Sequence, residues 1–155
     1  MKENTASWQF EIVSLLITSV LVIVIMLPIF KNVPDFPFLI YNLLAITAFF
    51  TFIRYIFLLR FTPFARYAPI KVVMIFLAIP IFIYFMDGMS SFQNMLDEDG
   101  TYSMVSHLEI GKQMPISNYI RSEMIFFGTG ALIGTFCLPF RMIISIWRVI
   151  NRGTV

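Results

Sequence analysis

Among the ionisable residues within long apolar stretches of the chain, Glu11, Arg54 and Arg141 come first. A charge at membrane depth is costly, so each marks a site by default. Their depths agree. Glu11 opens the first apolar stretch, Arg54 lies six residues before Arg60 at the end of the second, and Arg141 lies seven before Arg148 in the last. Helical spacing gives each of them a polar or small-residue face. Ser7, Glu11, Ser14 and Thr18 share one side of a first helix, Thr47, Thr51 and Arg54 share one side of a second, and Gly130, Gly134, Cys137 and Arg141 share one side of a last. Gly130 and Gly134 have the small-xxx-small spacing that lets helix backbones approach closely, either within the chain or between copies.

If the three faces meet, Glu11 pairs with Arg54, Arg141 or both. Two cations then face one anion, and an anionic lipid head group at the cytoplasmic rim fills the deficit. Two other readings stand beside this one. In the first, both arginines snorkel to nearby phosphates while Glu11 stays in the wet interface. In the second, the three residues line a ligand or ion path. Reversing the charge of Glu11 separates a real pair from the snorkelling reading.

The remaining residues with chemical potential are isolated. Cys137 is the single cysteine, so no intrachain disulfide, CxxC pair or thiolate metal site exists. His107 is the single histidine and completes neither a zinc site nor bis-histidine haem ligation. Asp97-Glu98-Asp99-Gly100 is acidic but lacks the alternating oxygen ligands and distal Glu of an EF-hand, and it reads as a solvated turn. No Walker or Rossmann glycine pattern, potassium-filter signature, intramembrane aspartate pair or Ser with a base at matched depth is present. The expectation is therefore no catalytic residue, no metal and no cofactor.

Positioning such side chains falls to membrane helices. Of 155 residues, 59% are hydrophobic and 13% charged, about half the charged share of soluble domains. The net charge of +2, without a basic run, sets nucleic acid aside as a partner. About 20 apolar residues cross a bilayer, and four segments qualify, at 8–30, 36–59, 68–86 and 119–150. Short proline-containing links make consecutive helices antiparallel. The expected fold is an all-α integral membrane protein, a single four-helix bundle with a long extracytoplasmic loop over 88–118. In that loop Met89, Phe92, Met95 and Leu96 form the apolar face of a short helix lying on the membrane surface. Pro80 and Pro139 are expected to kink their helices.

With the N-terminus inside, Lys2, Arg54, Arg60, Arg66, Lys71, Arg141, Arg148 and Arg152 fall on the cytoplasmic half, and Lys31, Lys112 and Arg121 outside. This eight-to-three bias places both termini in the cytoplasm. Among the acids, Glu3 and Glu11 lie inside, and the other seven, Glu123 of the outer interface among them, lie outside. The expected location is a multi-pass protein of a bacterial cytoplasmic membrane. The expected function is contact, as an accessory or scaffold subunit of a larger membrane assembly. The alternative is a homo-oligomeric small transporter or channel, and a third class is an enzyme acting on lipid or quinone, against which the missing general base counts.

Overall fold

The computed structural model describes residues 2–65 and 67–151, with side chains from Ala6 onward. The charges of Lys2, Glu3, Arg66 and Arg152 counted above lie outside the described side chains. The elements are α1 (Lys2–Asn32), α2 (Leu39–Leu58), α3 (Ala68–Glu98), the short α4 (Tyr102–Val105) and α5 (Ile110–Asn151), with two 3₁₀ turns at Leu59–Phe61 and Pro63–Ala65. Four segments are long and apolar enough to cross a membrane: Ala6–Asn32, Leu39–Phe61, Ala68–Glu98 and Ile110–Asn151.

Continuous apolar runs explain why these segments are helical, since only an intra-segment ladder satisfies every backbone group away from water. The helices continue through Pro28, Pro80, Pro115 and Pro139. The α1 helix ends just past Pro28, whose carbonyl accepts a bond from Asn32 Nδ2 at 2.7 Å. The chain then reverses over Val33-Pro34-Asp35, with the Val33 and Phe36 side chains buried under the turn.

The hub of the bundle is α5, which packs along α2 on one side and α3 on the other, while α1 lies chiefly against α2. Contacts follow opposite chain order along α1 and α2, where Glu11 meets Arg54 and Met26 meets Asn42. They follow the same order along α2 and α5, where Phe49 faces Gly130, Phe52 faces Gly134 and Ile56 meets Arg141. Glycine is what permits this approach. A Cβ on Gly130 would lie 2.4 Å from Phe49 Cδ2, and one on Gly134 would lie 3.0 Å from Phe52 Cβ.

The largest departure from the sequence expectation concerns residues 88–118. The α3 helix continues to Glu98 and α5 begins at Ile110, so the connection shrinks to residues 99–109, with α4 inside it. Met89 and Phe92 do not form a separate surface helix; they belong to α3 and point into the core, where Phe92 is 0% exposed. Val105 from α4 and Ile120 and Met124 from α5 belong to the same apolar cluster. Thr101 and Ser117 share a buried hydrogen bond that ties the connection to α5. Gly100 stops α3: its φ of 66° turns the chain out of the helix, just after the amides of Asp99 and Gly100 have both bonded the Met95 carbonyl. At about 1.5 Å per residue, α3 and α5 reach about 46 and 63 Å, well beyond the roughly 30 Å of a hydrocarbon core. The ends of α3 and α5 that meet at this connection form, with α4, a packed helical hairpin, the stalk, which also touches the end of α1 where His107 Nε2 lies 2.9 Å from the Asn32 carbonyl.

Candidate functional site

Near the start of α1, two of the three ionisable residues singled out by sequence come together. Arg54 Nη2 lies 2.8 Å from Glu11 Oε1, and Tyr55 Oη donates to the same oxygen at 2.9 Å. Arg54 Nη1 also donates to Ser14 Oγ, which itself donates to the Glu11 carbonyl at 2.9 Å. Helical spacing accounts for the set: Glu11 and Ser14 are one turn apart on α1 and present both acceptors to a single guanidinium. Phe64 packs edge-on against Tyr55 and Trp8, with ring centroids 6.0 and 6.3 Å away, and covers the cluster. Glu11 is 5% exposed and Arg54 6%. Glu11 Oε2 and Arg54 Nε have no hydrogen-bond partner among the described residues. A buried pair of this kind is sensitive to loss of either member more than it is a source of net stability.

Arg141 takes no part in that cluster. Its Nε donates to the Ile56 carbonyl at 2.7 Å, because the α5 face that carries Gly130, Gly134 and Arg141 is turned to α2. Beyond it opens a cleft of about 360 Å³ bounded by Leu59, Arg60, Ala65, Arg141, Ser145 and Arg148. Three arginines and, among the described residues, no acidic residue line it. The buried Lys71 donates from Nζ to the Ala65 carbonyl just behind its wall. Thr47 likewise turns away from the Glu11 cluster and bonds the Leu43 carbonyl of its own helix.

A second buried polar cluster was not foreseen. Glu123, expected in the outer interface, is 6% exposed and accepts a 2.7 Å hydrogen bond from Asn42 Nδ2. The same amide approaches Met26 Sδ at 3.3 Å, so α1, α2 and α5 meet there. Tyr119, one turn before Glu123, donates to the Ile25 carbonyl at 2.6 Å. Asn42 is 0% exposed. Its Oδ1 and Glu123 Oε1 have no partner among the described residues. The available signals were a lone Asn inside the second span and the four-residue spacing of Tyr119, Glu123 and Phe127.

Elsewhere the chemistry is sparse. His107 Nε2 lies 2.9 Å from the Asn32 carbonyl and links the connection to the end of α1. Glu109 pairs with Lys112 at 3.5 Å in solvent. No group of three or more His, Cys, Asp or Glu able to hold a metal occurs among the described residues. Cys137 borders an apolar groove of about 630 Å³ along the α2–α5 seam, walled by Phe49, Ile53, Phe57, Phe126 and Ile133.

Fold and clusters together define an all-helical protein with four membrane-length helices, cross-linked in its interior by two buried polar pairs. No protein-family model, curated protein or solved structure matches the chain.

Proposed function

We propose that this is a multi-pass protein of a bacterial cytoplasmic membrane, both termini inside, that works by contact as an accessory or scaffold subunit of a larger membrane assembly. The observation that carries this reading is the stalk: α3 and α5 are longer than a bilayer needs and pack along each other, with Phe92, Val105 and Ile120 buried in one apolar cluster at their connected ends. A packed hairpin of this kind presents a fixed polar surface, which suits docking better than a loose loop, since little ordering entropy is lost on binding. The buried pairs Glu11–Arg54 and Asn42–Glu123 fit the same reading, because each links two helices into one body.

The alternative, a homo-oligomeric transporter or channel, draws on the Gly130–Gly134 spacing. Support for it is weaker, since both glycines face Phe49 and Phe52 of their own chain. Native mass spectrometry of the protein gently released from its own membrane at native expression level tests the choice. A stoichiometric foreign subunit, lost when exposed stalk residues such as Gln93 and Asn94 are replaced by Arg, is the expected result. A pure homo-oligomer overturns it in favour of the alternative.

A further inference from the structure

The cationic cleft and the apolar groove lie on the same seam, one helical turn apart on both helices. On α2, Ile56 and Phe57 wall the groove and Leu59 and Arg60 the cleft. On α5, Cys137 borders the groove and Arg141 the cleft. An apolar channel that ends in a cluster of positive charge has the shape and polarity of a phospholipid. We propose that this seam binds one acidic phospholipid, with its phosphate in the cleft and an acyl chain along the groove.

Charge supports the assignment. Arg60, Arg141 and Arg148 line the same cleft with no acidic residue beside them among the described residues, and Glu11 is already bonded to Arg54. Three arginines on one cleft favour an anion between them, and the planar fork of arginine matches phosphate oxygens two at a time. The site is partly preorganised. Arg141 is held by its Nε bond to the Ile56 carbonyl, which leaves its two terminal nitrogens for a ligand, and Arg60 rests over the Phe61 ring with 4.4 Å between guanidinium carbon and centroid. Ser145 adds a hydroxyl donor to the wall. Arg141 and Arg148 are seven residues, about 10 Å, apart along α5, a span that suits the headgroup layer between hydrocarbon and water. The groove decides between ligand sources, since a free phosphate has no use for about 630 Å³ of apolar space.

Arg60 and Arg148 are both exposed, so replacing them leaves the packing of the bundle in place. Delipidated full-length protein, titrated with phosphatidylglycerol or phosphatidylcholine in mild detergent and read by native mass spectrometry, tests the proposal. One phosphatidylglycerol is expected to bind at least tenfold more tightly than phosphatidylcholine. Arg60→Gln and Arg148→Gln should each weaken it on the order of tenfold, the usual effect of losing a charge-assisted hydrogen bond. Arg121→Gln, at the other end of α5, should not. Thr129→Trp, which fills the groove, should weaken the lipid while sparing inorganic phosphate. Equal binding of the two lipids, or a preference that survives both arginine variants, overturns the site. Inorganic phosphate that binds the cleft with a lipid affinity indifferent to Thr129→Trp overturns the phospholipid assignment in favour of a soluble anion.

Discussion

Asn42 and Glu123 stand 81 positions apart in the chain and are joined by a hydrogen bond of 2.7 Å in the interior of the bundle. Each belongs to a helix that packs along the other, so the bond fixes the rotation of α2 against α5 as well as their distance. Removing one member leaves the other without its partner, at a cost of about 1–3 kcal/mol, more for a charged group. Asn42→Ala should therefore lower the unfolding midpoint in detergent, whereas Asn42→Leu combined with Glu123→Leu should recover part of the loss, since replacing both partners by apolar groups removes the penalty. Asn42→Ala melting with the wild type would show that the bond contributes nothing.

The Glu11–Arg54 pair invites a charge-reversal test. Glu11→Lys sets two cations together among Ser14, Tyr55 and Phe64, and breaking a buried pair costs about 3–5 kcal/mol. The level of folded protein should fall sharply. Glu11→Arg combined with Arg54→Glu restores opposite charges and should regain part of that level. Unchanged expression and melting in Glu11→Lys would return Arg54 to a snorkelling role.

Depth along the helices was legible in the sequence, and rotation about them was not. Arg54 and Arg141 sit at comparable depth because each precedes a terminal arginine by about two turns, and that much is counting. Which neighbour each meets depends on which helices touch. The glycine face of α5 turns to α2, so Arg141 meets Ile56, and of the two arginines Glu11 meets Arg54. An apolar span beginning at residue 119 places Glu123 at an interface; α5 begins at Ile110, so the same residue lies more than three turns inside the helix. The polar residues of 88–118 read as a loop for a related reason. A helix packed on one side needs only one apolar stripe, and Met89, Phe92, Met95 and Leu96 supply it among the polar residues around them.

Close approach along the α2–α5 seam predicts a specific pattern of damage. A side chain on Gly130 collides with the Phe49 ring, and one on Gly134 with the Cβ of Phe52. Overpacking typically costs about 1–3 kcal/mol, so Gly130→Ile and Gly134→Ile should each lower the unfolding midpoint. Phe49→Ala should rescue Gly130→Ile because the ring is what the new side chain meets. The Gly134 variant should resist rescue by Phe52→Ala, whose Cβ stays in place. If both glycine variants melt like the wild type but change oligomeric state, the seam serves contact between copies instead.

The stalk should unfold as part of the bundle. Phe92 is fully buried in the same apolar cluster as Val105, Ile120 and Met124, and truncating a buried Phe to Ala typically costs about 3–5 kcal/mol. Phe92→Ala is expected to speed amide exchange over both Met89–Leu96 and Gln113–Ile120. Exposed Ser91→Ala, one residue away, should leave exchange unchanged. Exchange in the wild type as fast as that of an open loop would remove the packed hairpin on which the assembly reading rests.

Sidedness is tested by a reactive thiol at each end of the bundle. In a Cys137→Ala background, Asp35→Cys and Ser103→Cys place one in the α1–α2 turn and one in α4, while Phe61→Cys places one at the far end of α2. The proposed orientation, drawn from the excess of Lys and Arg near Phe61, has that end in the cytoplasm. Residues 35 and 103 should then react with an impermeant maleimide in intact cells, and residue 61 only after the membrane is opened. The reverse pattern would invert the protein and move the three-arginine cleft to the outer leaflet, leaving its charge logic intact while changing which lipid pool supplies the ligand. Labelling of 35 and 103 from opposite sides would break the four-span arrangement itself, since the turn after α1 and the connection after α3 must share one side if four helices cross.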